Sequence, residues 1–232
     1  MKRINELEVM CPEGVVFKKV DFNQDDLDKV VKLKCASKAN AVVLLDGNPQ
    51  TEASLEIDWK KIKKYANKIE IYAISKAQFK ILFGFGGYAF EERKTSIKTN
   101  LGFTGQCTLE VVSFKEILNS FPGAEELTEE AATSAFRISV CDVIKSAIGD
   151  ELSRLRLNEV EPTLIEIKEK QSKDGMFNKL RDFFAAKGLA LKDFNIKVNF
   201  PSDFLDKYQE FADRDADNKQ MAKELEALKN IK

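Results

Sequence analysis

Apolar and polar residues alternate strictly over one segment near the C-terminus of the chain. Every second position of that segment is apolar: Phe194, Ile196, Val198 and Phe200. A period of two is typical of a strand that is buried on one face. Gly188 precedes the segment and ends a helical pattern, and Pro201 and Ser202 begin another. The pattern therefore predicts a strand that joins two helices.

Shorter apolar segments, rich in Val, Ile and Phe, predict strands in the N-terminal half of the chain. The predicted strands cover residues 14–20, 30–34, 40–45, 69–74, 78–83, 95–101 and 106–112. Glycine and proline at 46–49 and 84–87 predict turns, because glycine accepts positive φ and proline fixes its own. One helix is predicted over residues 58–68, where Trp59, Ile62 and Tyr65 share a face.

The spacing of apolar residues becomes helical after Leu127. Thr128 is the expected N-cap, and Glu129 and Glu130 in the first turn favour the positive end of the helix dipole. The apolar positions that follow recur every fourth residue: Val140, Ile144, Ile148 and Leu152. This spacing predicts a long amphipathic helix that packs one face against the rest of the protein.

Two more helical segments are predicted in the C-terminal part of the chain. The first begins after Pro162, has a break at residues 174–175 and ends at Gly188. The second covers residues 202–232 and continues as a weak coiled coil. It begins with three aromatic residues on one face: Phe204, Tyr208 and Phe211.

Charge and composition exclude several classes of function. The 37 Lys and Arg residues balance 38 Asp and Glu residues, so no overall field attracts nucleic acid. The chain has no histidine, which excludes Ser-His-Asp and Cys-His catalysis. Its four cysteines are far apart and form no zinc motif: Cys11, Cys35, Cys107 and Cys141. We expect free thiols in a reducing cytoplasm, no leader peptide, no membrane-spanning segment and no enzymatic activity.

Gly84-Phe85-Gly86-Gly87-Tyr88-Ala89 matches a loose form of the dinucleotide-binding pattern and follows a predicted strand. The pattern needs a helix next, whose N-terminus would bind the pyrophosphate. Residues 90–100 are too polar and irregular to predict one. We therefore interpret residues 84–87 as a glycine-rich turn.

Four acidic residues have the spacing of an EF-hand calcium loop: Asp213, Asp215, Asp217 and Glu224. Position six of such a loop is normally glycine and is Asn218 here, and no second hand is present. A solvated acidic turn of a helix is the favoured interpretation, and a weak calcium site is the alternative.

The predicted helix at 58–68 carries lysines opposite its apolar face. Trp59, Lys60, Lys61 and Lys64 form a candidate surface for an anionic membrane, with the tryptophan at the interface. Lysines on the outer face of a packed helix are the commoner explanation. Nucleic-acid binding is not expected, since no basic stripe occurs elsewhere.

Several segments, taken in order, carry a likeness to a known family. They are residues 40–47 (Asn-Ala-Val-Val-Leu-Leu-Asp-Gly), 69–74 (Ile-Glu-Ile-Tyr-Ala-Ile), 83–87 and 101–118, followed by the helices, Gly188 and the strand after it. This order resembles the SPFH or band-seven domain, the module of stomatins, prohibitins and flotillins. Val112-Ser113 stands where the family usually has an acidic residue and proline.

The resemblance is closest to a soluble bacterial branch of the family, called virion-core-protein-like, that has no membrane anchor. It implies an α+β module that oligomerises laterally, through the domain and the helix after it, into scaffolds at membranes. It also implies that no residue is catalytic. Contact with a membrane would then require a partner protein or the segment around Trp59.

We therefore predict an α+β protein with a strand-rich N-terminal half, a mixed or antiparallel sheet, and long helices with one strand between them. Its expected parts are residues 1–122, a helix-helix-strand part at 123–201, and a C-terminal helix at 202–232. The predicted function is a non-enzymatic, self-associating cytoplasmic scaffold or adaptor, without cofactor or metal, that a partner recruits to the membrane face.

Phe204, Tyr208 and Phe211 are the candidate residues for the interface with another copy or a partner. Two other functions stay open from the sequence. One is a small-ligand or calcium-binding module, and the other is a structural protein of a phage or virus shell.

Overall fold

The computed structural model describes residues 5–22, 30–49, 68–170, 172 and 175–229, which form an α+β fold. The strands are β1 (Asn5–Val9), β2 (Val15–Lys19), β3 (Val30–Cys35), β4 (Ala39–Leu45), β5 (Asn48–Pro49), β6 (Ile69–Ser75), β7 (Phe79–Glu91), β8 (Lys98–Val111), β9 (Glu126–Thr128) and β10 (Leu189–Asn199). The helices are α1 (Phe114–Ser120), α2 (Glu129–Ile148), α3 (Leu157–Glu169), α4 (Met176–Ala185) and α5 (Ser202–Lys229). A strand-rich N-terminal half thus precedes the helices, as the sequence predicts.

An antiparallel sheet has the strand order β5, β4, β6, β2 and β9, and four of its five strands come from the N-terminal half. Its central strands are apolar on both faces because both faces are buried. Val42 and Tyr72 face the main core on one side. Val43 and Ile71 face a smaller core on the other side, which the parallel pair β1 and β3 covers.

A second antiparallel sheet has the order β10, β8, β7 and consists of long strands. The turn predicted at residues 84–87 is wrong, because β7 continues through these glycines. The register shifts between Phe85 and Tyr88, so the extra residues form a bulge in which Gly87 has a φ of +79°. The segments predicted as separate strands at 95–101 and 106–112 belong to one strand, β8.

Helices α2 and α4 contact this second sheet, at β7 and β10, and α3 packs against both helices. Helix α2 begins where the sequence predicts, since the side-chain oxygen of Thr128 accepts a hydrogen bond of 3.1 Å from the Ala131 amide. Its buried face extends the main core with Ala132, Phe136, Val140, Ile144 and Ile148. The predicted N-cap is confirmed, and so is the apolar face as far as Ile148. The helix ends there, so Leu152 is buried but lies beyond it.

Helix α3 begins before Pro162 and not after it, which corrects the predicted start. Two carboxylates hold its first turn, because Glu159 accepts a hydrogen bond from the Arg156 amide and Glu92 accepts one from the Leu157 amide. Pro162 lies inside the helix and is exposed, and its missing N–H removes one backbone hydrogen bond.

Both sheets combine strands from the two halves of the chain. Strand β9, which the sequence does not predict, pairs with β2, and β10 pairs with β8. The main core accordingly contains residues from Val16 to Phe204. The predicted succession of helix, strand and helix at the C-terminus is confirmed by α4, β10 and α5.

Candidate functional site

Aromatic rings fix the start of helix α5 to the second sheet. Phe204 is 1% exposed, and its ring lies parallel to that of Phe200 at a centroid distance of 6.0 Å. Phe90 of β7 meets the Phe204 ring edge-on at 5.8 Å. Tyr208, one turn further along, is half-buried and lies 6.3 Å from Phe204.

These contacts correct the assignment of Phe204 as a candidate interface residue. The ring belongs to the core, because the first turn of α5 lies against Phe90 and Phe200. Of the three aromatic residues predicted to bind a partner, Phe211 is the most exposed, at 37%.

A second attachment of α5 lies about three turns beyond Phe204. Lys94, in the turn between β7 and β8, donates a 2.8 Å hydrogen bond to a carboxylate oxygen of Asp215. The same ammonium group lies 5.7 Å from the ring centroid of Phe211, within the range of a cation–π contact. Lys219 also pairs with Asp215, at 2.9 Å. The first half of α5 is thus held at two points.

The buried carboxylate of Glu92 fixes the turn that carries Lys94. One oxygen accepts hydrogen bonds from the amides of Lys94 and Thr95, at 2.8 and 2.6 Å. The other oxygen accepts a bond of 3.3 Å from the Leu157 amide at the start of α3. Glu92 is fully buried, and these bonds satisfy a polar side chain that would otherwise be costly to bury. They join the turn, α3 and, through Lys94, α5.

The ion pairs between Asp215 and the two lysines shift the pKa values of the groups that form them. Hydrogen bonds from Lys94 and then Lys219 lower the pKa of Asp215 to about 2. The hydrogen bond to Asp215 raises the pKa of Lys94. Both groups are therefore ionised near neutral pH. They form a stable ion pair, and neither is suited to transfer a proton at that pH.

The EF-hand spacing at residues 213–224 does not form a calcium loop in this structure. All four acidic positions lie within the single helix α5, and Asp213 accepts a hydrogen bond from Gln209 one turn earlier. Alternate helical positions point about 200° apart around the axis, so Asp213 and Asp215 do not converge as the first two ligands of a calcium loop do. Within the described part of the chain, no three His, Cys, Asp or Glu side chains are placed to hold a metal ion.

Helix α2 and the free edge of β7 form a groove of about 530 Å³. Thr133 and Arg137 each donate a hydrogen bond of 3.5 Å, to the carbonyl oxygens of Lys80 and Gly84. The ammonium of Lys145 lies 5.2 Å from the ring centroid of Phe85. These contacts cover part of an edge strand that would otherwise present open hydrogen-bonding groups.

The cysteines are free thiols, as predicted for their number and spacing. Burial raises the pKa of Cys107 to about 12 and that of Cys11 to about 11. Burial also raises the pKa of Cys141, which lies beside the groove. A raised pKa suppresses the thiolate, so none of these three has the character of a catalytic nucleophile.

The candidate membrane surface of Trp59, Lys60, Lys61 and Lys64 lies outside the described residues. Residues 84–87 lie within β7 and the next element is strand β8, so the helix that a dinucleotide-binding loop requires does not follow them. No helix in the described ranges is long and apolar enough to cross a membrane.

Two residues of these sites, Lys94 and Ile138, are not among those singled out from the sequence. Lys94 lies in a polar segment without periodicity, and only its contact with α5 shows its role. Ile138 lies on the groove and is 73% exposed. A sequence signal did exist for Ile138, because it precedes Val140 by two residues and therefore lies about opposite the buried face of α2.

Comparison of the chain with models of known protein families and with curated proteins finds no match.

Proposed function

We propose that this chain is a non-enzymatic scaffold or adaptor that associates with further copies of itself and is recruited to the cytoplasmic face of a membrane by a partner protein. The position of α5 carries the proposal. The helix has 28 residues, about 42 Å, and its attachment to the body at Phe204 and Lys94 fixes its direction.

The part of α5 beyond its attachment to the body has its own apolar positions. After Asp215 the helix continues for about 21 Å, to Lys229. Its sequence there places Met221, Leu225 and Leu228 at helical spacing. A helix held at one end and apolar again further along is suited to pairing with another helix.

The body also exposes large apolar residues that are typical of interaction surfaces. Leu82 on β7, Ile138 on α2 and Ile165 on α3 are each more than half exposed. The SPFH-like order of segments in the sequence supports the same function, because that resemblance implies lateral assembly at membranes without catalysis.

Light scattering coupled to size-exclusion chromatography tests self-association over a series of protein concentrations. We expect the mass to rise above the 26.3 kDa of one chain as the concentration increases. A mass equal to one chain at every concentration would contradict the proposal.

Flotation with vesicles of phosphatidylcholine and phosphatidylserine tests recruitment by a partner. We expect the purified chain to stay at the bottom of the gradient. Flotation of the chain alone, lost on the combined substitution of Lys60, Lys61 and Lys64 by Gln, would instead assign membrane contact to the segment around Trp59.

A further inference from the structure

Ile138 is the most exposed large apolar residue in the described part of the chain, at 73%. It lies near the middle of α2, on the face turned away from the core. Its exposed neighbours towards the N-terminus are small (Ala131, Ser134 and Ala135), and the charged residues Arg137 and Asp142 are exposed beside it. A second helix can approach such a face closely, with axes about 8 to 10 Å apart.

Two further charges of opposite sign lie at equal distances from the centre of this face. Glu130 and Lys145 are both exposed and lie about 22 Å apart along the helix axis. The midpoint between them falls between Arg137 and Ile138. At 3.6 residues per turn, both charges also lie on the same side of Ile138 around the helix. No salt bridge joins either charge to another described residue.

We propose that helix α2 is a self-complementary interface, on which a second copy of this chain packs its own α2 in antiparallel orientation. A two-fold axis beside Ile138 brings the two Ile138 side chains together. The same axis places Glu130 of each copy opposite Lys145 of the other, so that two identical ion pairs flank one apolar contact. Such an interface is isologous, as in most homodimers.

The inference rests on the proposed function, because it names a surface, separate from the part of α5 beyond Asp215, through which the chain associates with itself. It also gives the groove beside β7 a role. Lys145 lies against Phe85 on the groove side of α2, so the two ion pairs form along the grooves of the two copies. One helix pair is a small interface, and the dimer is therefore weak and concentration-dependent.

Sedimentation equilibrium of the full chain and its variants tests the arrangement. The change Ile138→Asp places two carboxylates at the centre of the interface, and we expect it to abolish the dimer. The matched control is Ile165→Asp on α3, where a 52% exposed isoleucine lies outside the interface and the dimer should persist. Circular dichroism checks that both variants are folded, which their exposure favours.

Charge reversal tests the orientation of the two helices. Either Glu130→Lys or Lys145→Glu alone places like charges together twice, and we expect the dimer dissociation constant to rise about tenfold. The double variant restores both ion pairs with opposite sign and should restore dimerisation. A rise in salt concentration should weaken the wild-type dimer, because it screens the attraction, and should strengthen the dimer of either single variant, because it screens the repulsion.

The outcomes separate this inference from the proposed function. Self-association that is unchanged by Ile138→Asp would overturn the α2 interface and leave the scaffold proposal standing. A dimer that is lost with Ile138→Asp but whose double charge variant is no tighter than the single variants would overturn the antiparallel arrangement. A wild-type chain that is monomeric at every concentration would overturn both.

Discussion

The ring of Phe204 stacks on the ring of Phe200, with centroids 6.0 Å apart and planes 20° from parallel. This contact joins the last strand to the last helix across Pro201, and Phe90 closes it from the side. We expect Phe204→Ala to lower the free energy of unfolding by about 3 to 5 kcal/mol, because it removes a fully buried ring. Urea denaturation followed by circular dichroism measures the change.

Phe211→Ala is the matched control for this substitution. Phe211 lies on the same face of α5 but is 37% exposed, so its loss should cost clearly less than the loss of Phe204. Equal effects of the two substitutions would contradict the position of Phe204 in the core.

Elements with a strong local period were predictable from the sequence. The alternation around Phe194 and Val198 gives β10, and the fourfold spacing from Val140 gives the buried face of α2. The long strands β7 and β8 were not predictable in full, because glycines within them resemble turns. Whether a strand continues through a glycine depends on the side chain that covers it from another strand, and local sequence does not carry that information.

Local sequence is limited in the same way for the candidate sites, because it does not carry the contacts made in the folded protein. The spacing of Phe204, Tyr208 and Phe211 correctly places them on one face of a helix. It does not show whether that face meets the body or a partner, because both surfaces are apolar. The acidic spacing at 213–224 fits a calcium loop only if the backbone leaves the helix, and the structure keeps it helical.

Gly105 of β8 lies beneath the ring of Phe83 on the neighbouring strand. A side chain at this position would overlap both that ring and the carbonyl oxygen of Asn195 on β10. We therefore expect Gly105→Ala to destabilise the fold by about 1 to 3 kcal/mol, as overpacked cores do. Gly86→Ala is the control in the same sheet, since a β-carbon there meets no atom within 4 Å. Thermal unfolding of the two variants in parallel should give a lower Tm for Gly105→Ala alone.

Gly188 and Gly123 have the same φ of +78° in different surroundings. A β-carbon on Gly188 would overlap the carbonyl oxygen of Ser113, whereas a β-carbon on Gly123 meets no atom within 4 Å. Gly123→Ala should cost about 1 to 2 kcal/mol, the strain of a left-handed alanine. Gly188→Ala should cost more, because it also breaks the hydrogen bonds that the Val112 and Ser113 amides donate to the Gly188 carbonyl. Chemical denaturation measures how much unfolding free energy each variant loses. Equal losses in the two variants would contradict this account.

The ion pair between Lys94 and Asp215 should be visible in the titration of the Asp215 carboxyl group. The folded pKa of Asp215, about 2, lies below its ordinary value of 3.8, so folding favours the ionised carboxylate. Its contribution to stability is therefore complete above about pH 4 and is lost as the pH falls through about 2. Carbon-13 NMR of the side-chain carboxyl measures this pKa directly.

Lys94→Met should raise the pKa of Asp215 toward 3.8, because it removes the first of the two hydrogen bonds that lower it. The remaining pair with Lys219 should keep the value below 3.8. Lys98→Met is the matched control, since Lys98 lies in the same hairpin but pairs with Glu91, at 3.6 Å. It should leave the titration of Asp215 unchanged. Because the pair is partly exposed, a high salt concentration should reduce the difference between wild type and Lys94→Met. An Asp215 that titrates equally in all three proteins would show that α5 is not held by Lys94.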